Sequence, residues 1–391
     1  MDRDVFVGFD PARVPSPSFV IDAAGVRRNV ARLEEVQRAS GATVLMALKA
    51  FAMPALAEWI CPPLAGVCAS GLWEAQLGRD HFGGQVHTYA PAYKDDEFDQ
   101  ILNLSDHVMF NSFGQWKRLR TRALAAAAAR PAERPLRFGM RVNPEHSEVQ
   151  VTLYDPCAPY SRLGVTRAGF EEQELDGLTG LHFHTLCEQN VDALERTVEV
   201  FLGTFGRYLP SMQWLNLGGG HHISRSDYDR ERLVALIRQL RTEYDIEILL
   251  EPGEAAVIHS GVLVAEVLDV IENGIPIAIL DTSATAHMPD VLEMPYRPDI
   301  WGAGEPGVLA HTYRLGGQTC LAGDVIGDYS FPEPLRRGQR LVFDDMAHYT
   351  MVKTTMFNGV RHPALMLYDS ETTQLRLVRE FGYDDFLRRY A

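Results

Sequence analysis

A single lysine ends a nearly continuous apolar run and could carry covalent chemistry. The run comprises residues 42–48, and Lys49 follows it directly. Such runs are typical of strands that are buried on both faces of a parallel sheet, where a charged side chain is costly. In an apolar site the pKa of a lysine falls, and its neutral amine can form a Schiff base with an aldehyde. The same pattern fits a lysine whose ammonium group reaches solvent, so the rest of the chain must decide.

Further polar or glycine-rich motifs stand where other predicted strands end. Each has a purely structural explanation, since a triple glycine is often only a turn and a lone histidine is more often packed than catalytic. Their shared position is harder to explain by packing alone. The motifs are Cys68-Ala69-Ser70, Asn111-Ser112, Arg141-Val142-Asn143, His182-Phe183-His184, Gly218-Gly219-Gly220 and Glu251-Pro252-Gly253.

The elements that carry these motifs indicate a (β/α)8 TIM barrel, which we place at residues 39–258. Eight apolar strands are predicted, mostly separated by helical patterns, in the order expected of this α/β fold. Only residues 144–173 give no clear helix. Active sites of such barrels lie at the carboxyl ends of the strands, where the motifs stand. The predicted strands are residues 43–48, 66–69, 86–90, 107–110, 136–142, 180–184, 213–217 and 247–250.

The rhythm changes after the eighth strand, where an all-β domain is predicted at residues 259–391. Apolar strands there follow one another with little helix between them, and turn signals such as Asn273-Gly274 stand at their ends. Residues 1–38 form an N-terminal segment whose strand, at 17–22, is expected to join this β-domain because it precedes the barrel. The predicted strands are residues 262–271, 275–280, 308–315, 340–343, 364–368 and 375–379.

Composition narrows the possible partners. The 391-residue chain is 46% hydrophobic and 23% charged, with a net charge of −15. This charge argues against nucleic acid or an anionic membrane as a partner and would attract a cationic substrate. No run approaches the roughly 18–20 apolar residues of a membrane span. The five cysteines are scattered without a CxxC pair, so we expect no metal site, no disulfide framework and a cytoplasmic location.

The motifs together describe the needs of one cofactor. Gly218–Gly220 would let backbone N–H groups approach an anion, and barrels commonly bind phosphate after their late strands. His184 offers a flat ring for stacking, Glu251 a carboxylate for a ring nitrogen, and Lys49 an amine for an aldehyde. A phosphate, an aromatic ring, a basic ring nitrogen and an aldehyde together constitute pyridoxal 5′-phosphate.

Taken in order along nearly the whole chain, the motifs resemble the alanine-racemase-like decarboxylases that use this cofactor. That superfamily includes the ornithine and diaminopimelate decarboxylases and joins a cofactor-binding barrel to a C-terminal β-domain. In detail the chain is most similar to the carboxynorspermidine decarboxylases. The motifs that carry the resemblance are Ala47-Leu48-Lys49, Cys68-Ala69-Ser70, His182–Glu188, Leu217–Gly220, Glu251-Pro252-Gly253, Asp281–Ala284, Gly317–Cys320 and Ala347-His348-Tyr349.

The resemblance implies a role for several barrel residues. Lys49 would be the Schiff-base lysine and His184 the histidine that stacks on the ring. Glu251 would pair with the pyridinium nitrogen. Gly219 and Gly220 would hold the phosphate.

The resemblance also implies roles for the β-domain and a second subunit. Tyr349 would be a further phosphate donor, and Cys320 would reprotonate Cα after carbon dioxide leaves. Because this cysteine comes from the other subunit in the family, a homodimer with active sites shared at the interface is expected.

Two departures from the family pattern bear on the substrate. Ornithine and diaminopimelate decarboxylases usually carry arginine directly after Glu-Pro-Gly, whereas this chain has Glu254. A carboxylate there favours a cationic amine and repels a carboxylate. Asp290 and Asp324 are further candidates for binding amines, although each could be only a solvated loop acid. His221-His222 replaces the more common aromatic-proline pair, which leaves the phosphate contacts open.

The sequence therefore predicts decarboxylation of carboxynorspermidine, and also of carboxyspermidine, in polyamine biosynthesis. The nearest alternative is decarboxylation of ornithine, lysine or diaminopimelate. An alanine-racemase-like activity and a non-catalytic cofactor carrier fit less well, the carrier because of the large β-domain. A metal-dependent hydrolase could use His182, His184, His221 and His222, but no metal-binding spacing supports it.

Overall fold

The computed structural model describes residues 5–391 and divides the chain into two compact units. The barrel domain comprises Arg28–Ala256. The sheet domain combines the residues up to Arg27 with Val257–Ala391. The predicted boundary at 258/259 lies two residues after the structural one at 256/257. The predicted boundary at 38/39 lies eleven residues after the structural one at 27/28, and both of these positions fall inside the helix Ala23–Ser40. None of the helices in the described part of the chain is long and apolar enough to cross a membrane.

The strands and helices are numbered along the chain. The strands are β1 (Ser18–Asp22), β2 (Thr43–Ala47), β3 (Gly66–Ala69), β4 (Gln85–Tyr89), β5 (His107–Phe110), β6 (Arg137–Arg141), β7 (Gly180–His182), β8 (Trp214–Asn216), β9 (Glu247–Leu250), β10 (Gly261–Glu272), β11 (Pro276–Leu280), β12 (His311–Gly316), β13 (Val325–Phe331), β14 (Arg340–Phe343), β15 (Ala364–Asp369) and β16 (Gln374–Arg379). The α-helices are α1 (Ala23–Ser40), α2 (Ala57–Ile60), α3 (Leu72–Leu77), α4 (Phe98–Leu104), α5 (Phe113–Ala128), α6 (Val191–Phe205), α7 (Arg230–Tyr244), α8 (Ala284–His287), α9 (Asp290–Glu293) and α10 (Tyr383–Leu387).

Strands β2 to β9 close into a barrel of parallel strands, as predicted. The longer helices begin where a polar side chain caps them. Ser112 accepts a hydrogen bond from the backbone of Gln115 at the start of α5, and Asp229 does the same for Arg232 at α7. Between β6 and β7 the chain has only short 3-10 turns, which agrees with the absence of a helical pattern there.

Every second side chain of the barrel strands points into the barrel, so one strand supplies successive interior layers. A buried apolar layer contains Leu45, Met109, Trp214 and Leu249. Two residues after Trp214 and Leu249 come Asn216, which ends β8, and Glu251, which directly follows β9, and a hydrogen bond joins them. The period of two therefore places polar groups one layer nearer the carboxyl end.

Trp214 fills the amino end of the barrel. Its ring lies where side chains at Gly139 and Gly180 would be, since a Cβ added to either glycine would come within about 2 Å of the ring. Its Nε1–H donates to Thr179 Oγ1 at 3.1 Å, and the His107 ring lies 5.0 Å away between centroids. The small residues on β6 and β7 thus make room for one large ring, and this end is a packed core.

The sheet domain contains eight strands, with β1 between β10 and β15. The predicted insertion of the N-terminal strand into this domain is confirmed. Strand β13 was not predicted, because Gly327 and Asp328 interrupt its apolar pattern. It pairs antiparallel with β12 over His311–Gly316 and forms the end of the sheet's path.

Candidate active site

Lys49 lies in a turn directly after β2. The residues before it are fully buried, whereas Lys49 itself is exposed at the carboxyl end of the barrel. Two backbone hydrogen bonds hold this turn, from Leu48 N to Cys68 O at 3.0 Å and from Ala50 N to Ala47 O at 3.1 Å. The positive charge of Lys49 acts on the pKa values of His182, His184, Cys68 and Glu251, so its amine belongs to the same cluster of groups.

Glu251 is the buried carboxylate of this cluster. Its Oε1 accepts a hydrogen bond from Asn216 Nδ2 at 2.6 Å. Burial raises the pKa of Glu251, while the bond from Asn216 and the positive charge of Lys49 oppose that rise. A further cationic group bound beside this carboxylate would stabilise its charged form.

His182 and His184 stand beside Glu251 at the end of β7. Donor atoms of these three residues lie within 4.8 Å of one another. Burial holds the pKa of both histidines well below the usual range, so both are neutral. His184 Nδ1 accepts a hydrogen bond from Gly219 N at 3.1 Å, which places its proton on Nε2.

The triple glycine packs backbone against backbone. A Cβ at Gly219 would lie 2.0 Å from Glu251 O, and one at Gly220 would lie 1.8 Å from Leu186 O. Gly218 and Gly220 also have positive φ angles of 72° and 81°. The three glycines therefore bring the loop after β8 against the ends of β7 and β9, at a distance that no side chain would allow.

A second ring of polar groups surrounds the cluster, and the motifs in the sequence gave these groups no role. Arg141 is buried, donates to His184 O at 3.1 Å, and places its guanidinium 4.6 Å from the centre of the Tyr89 ring. The Tyr89 hydroxyl donates to Asn111 Oδ1 at 2.7 Å. Together with Asn216, these residues could have been found by following the period of two along each strand.

Glu254 follows the end of β9 and is held by His222. His222 Nε2 lies 2.6 Å from Glu254 Oε2, and both side chains are nearly buried. The charge of Glu254 also acts on Cys187, whose pKa burial raises to about 12. Since Lys49 acts on the same cysteine, Glu254 lies in the neighbourhood of the cluster.

Within the sheet domain, Cys320 and Asp324 share one loop. Cys320 is exposed, and its N–H donates to Asn358 Oδ1 at 2.7 Å. The buried carboxylate of Asp324 accepts from the Ser283 hydroxyl, the Thr285 N–H and the Thr319 hydroxyl. These bonds assign Asp324 to holding the loop. Its predicted role in substrate binding stays a prediction.

Asp290 and Tyr349 lie elsewhere in the sheet domain. Asp290 Oδ1 forms an ion pair with Lys353 Nζ at 2.5 Å, so this carboxylate already binds an ammonium group. Tyr349 has a positive φ of 48°. It follows Asp345, which accepts a hydrogen bond from the backbone N–H of His259 at 2.7 Å.

The barrel end fits pyridoxal 5′-phosphate. His182 is buried, and neither of its ring nitrogens has a hydrogen-bond partner among residues 5–391, so a bound polar group would satisfy them. The same end provides a lysine amine, a buried carboxylate, a neutral imidazole and a glycine loop. These groups match an aldehyde, a ring nitrogen, an aromatic face and a phosphate. The fold and the site thus define a barrel enzyme that binds this cofactor.

A family model described as pyridoxal-dependent decarboxylase, C-terminal sheet domain, matches residues 18–347, and the chain belongs to this family. It is a pyridoxal 5′-phosphate-dependent decarboxylase, a lyase, with a barrel and a sheet domain. The predicted fold class, cofactor and enzyme class are confirmed, as is the resemblance to the carboxynorspermidine decarboxylases.

The chain is similar to several curated enzymes over nearly its whole length. It is 44% identical to the carboxyaminopropylagmatine decarboxylase of Synechocystis sp., covering 96% of this chain and 95% of that one. It is 41% identical to the carboxynorspermidine/carboxyspermidine decarboxylase of Campylobacter jejuni, covering 96% and 99%. The crystal structure of carboxynorspermidine decarboxylase from the latter organism, complexed with norspermidine, superimposes with a TM-score of 0.87 at 40% identity, covering 96% of this chain and all of that one.

Proposed function

We propose that this enzyme removes the carboxylate of carboxynorspermidine and of carboxyspermidine, giving norspermidine and spermidine in polyamine biosynthesis. The observation that carries the proposal is the nearly buried carboxylate of Glu254, directly after Glu251-Pro252-Gly253. The similarity to the Campylobacter jejuni enzyme over nearly the full length of both chains supports the same substrate class. A negative site favours a substrate whose far end is a cationic amine over one that ends in a carboxylate.

A second candidate substrate is carboxyaminopropylagmatine, because the Synechocystis enzyme that acts on it is 44% identical to this chain. This compound also combines a carboxylate with a cationic end. Glu254 would serve either substrate by charge, so the two candidates must be separated by assay.

Bound pyridoxal 5′-phosphate supplies the electron sink that accepts the bonding electrons when the Cα–carboxylate bond breaks. We propose that the Lys49 amine would hold the cofactor covalently through its aldehyde carbon. His184 would stack on the ring, with Gly219, Gly220 and Tyr349 at the phosphate. Glu251 would hold a proton at the ring nitrogen, because an adjacent carboxylate favours the charged form of that nitrogen.

The proton that replaces the lost carboxylate needs a donor at Cα. We assign it to Cys320, which is exposed on its loop. Family resemblance supports a cytoplasmic homodimer in which this cysteine serves the other subunit's site. Glu254 and Asp290 would bind the distal amines, and Asp290 already carries an ammonium partner in Lys353.

Carbon dioxide release from a substrate panel tests the proposal. The panel contains carboxynorspermidine, carboxyspermidine, carboxyaminopropylagmatine, ornithine, lysine and diaminopimelate. We expect one or both carboxylated triamines to have the highest kcat/KM. A preference for diaminopimelate or ornithine would overturn the proposal, and a preference for carboxyaminopropylagmatine would establish the second candidate.

A further inference from the structure

The His222–Glu254 pair is a short, nearly buried contact at the carboxyl end of the barrel. The Nε2–Oε2 distance is 2.6 Å, and the side chains are 8% and 12% exposed. A hydrogen bond to a carboxylate in such surroundings is strong and directional. It therefore fixes the orientation of the Glu254 carboxylate.

Arg225 decides which nitrogen of His222 carries the proton. Its Nη1 lies 3.4 Å from His222 Nδ1, and its Nε donates to Asp227 Oδ1 at 2.5 Å. Because a guanidinium can only donate, Nδ1 must accept. A neutral His222 then has its proton on Nε2, where it faces Glu254.

The backbone holds His222 in this position. Its N–H donates to Gln189 O at 3.3 Å, and its carbonyl accepts from Arg225 N at 2.9 Å. The imidazole is thus attached to the loops that follow β7 and β8, while Glu254 follows β9.

We propose that His222 is a positioning residue that orients Glu254 toward the cationic end of the substrate. This inference rests on the proposed function. It also explains the two sequence departures together, since the glutamate after Glu-Pro-Gly and the second histidine after the glycines form one contact. His222 would act through Glu254 and would touch neither the reacting bond nor the cofactor.

Two substitutions of His222 separate orientation from general stability. In His222→Gln the amide nitrogen can take the place of Nε2, whereas in His222→Asn it falls near Nδ1 and cannot reach Glu254. We expect His222→Asn to raise KM for carboxynorspermidine about tenfold, because the variant loses one hydrogen bond to a charged group. The value of kcat should change little. His222→Gln should stay within about threefold of wild type, and the cofactor absorbance should be unchanged in both variants.

A double-mutant cycle tests whether His222 acts through Glu254. If it does, His222→Asn should have little further effect on KM in a Glu254→Gln background. Calorimetric titration with norspermidine gives a second readout that does not depend on turnover, and its Kd should follow KM. If the asparagine variant does not fold, Arg225→Met provides the test, because the Arg225 side chain is 31% exposed. We expect this variant to raise KM as well, by a smaller factor.

The outcomes separate this inference from the proposed function. An active wild type whose His222→Asn and Arg225→Met variants keep the wild-type KM would overturn the inference alone. So would additive effects of His222→Asn and Glu254→Gln. A wild type that releases no carbon dioxide from any carboxylated polyamine would overturn the proposed function and this inference with it.

Discussion

The two ends of the barrel each contain a pair of histidines, three of them buried and His184 half-buried, but the pairs have different neighbours. At the amino end, His87 and His107 stack with ring centroids 3.9 Å apart, and His107 lies beside Trp214. At the carboxyl end, His182 and His184 lie within reach of the Glu251 carboxylate.

Burial alone does not distinguish these pairs. It lowers the pKa of all four histidines and keeps them neutral. The difference comes from Glu251 and from the charge of Lys49, which acts on the carboxyl-end pair. We infer that the same residue type serves packing at one end and, in the proposed function, chemistry at the other, and four substitutions test this division.

Lys49→Ala should have the largest effect, because it removes the amine that would hold the cofactor. We expect kcat to fall at least about a thousandfold and the absorbance of the covalently bound cofactor to disappear. Lys94→Ala is the control, since that lysine is 74% exposed and pairs with Glu97. If Lys49→Ala retained turnover, this would contradict the inference that the carboxyl end carries the chemistry.

Trp214→Ala, at the amino end, should lower the free energy of unfolding. Removing a fully buried aromatic side chain costs about 3–5 kcal/mol in free energy of unfolding. Urea denaturation of the holoenzyme measures this loss, and kcat of the folded fraction should change by less than about threefold. A large loss of kcat without a loss of stability would contradict the division between the two ends.

Glu251→Gln should keep the shape of the site and remove its negative charge. We expect kcat to fall about a hundredfold with little change in stability, because in the proposed function this charge would act on the cofactor ring. The matched change at the amino end is Gln85→Glu beside His87, which should leave kcat near its wild-type value. Equal effects of the two substitutions on kcat would show that position in the barrel does not matter.

The smallest expected effect is on the pH dependence of stability, through His87 of the amino-end pair. Burial lowers the pKa of His87 to about 3, below its unfolded value of about 6.5, so the unfolded chain binds the proton first. The stability from neutral His87 is therefore present above pH 6.5 and is lost as pH falls toward 3. His87→Phe should reduce the slope of unfolding free energy against pH by about 1.4 kcal/mol per unit between pH 6 and 4. Exposed His81→Phe is the control, and equal slopes for both variants would contradict this account.

The sequence allowed most of the fold to be predicted because its strands are apolar runs with clear ends. All eight barrel strands lie where they were predicted, and the chemical motifs follow them. Strand β13 was missed because its glycine and aspartate hide the apolar pattern.

Within the site, residue type and position at a strand end predicted that Lys49, His184 and Glu251 would lie together, and the structure brings them into one cluster. The roles of these residues toward the cofactor stay predictions. The period of two places Asn216 and Arg141 in the same layer of the barrel, but the contacts of these two residues and of His222 could not be predicted. The contacts of these residues depend on which strands become neighbours and on how the loops pair, and such long-range pairing leaves no local pattern in one sequence.

The position of β1 has a consequence for the order of folding during synthesis. Phe19 pairs with Leu263 on one side and with Leu365 on the other, so its strand lacks both partners until late in translation. The intervening barrel is complete in sequence much earlier and can form first, since domains generally fold as units. During that time β1 is an apolar strand without its partners, and we expect the nascent chain to be most prone to aggregation in that interval.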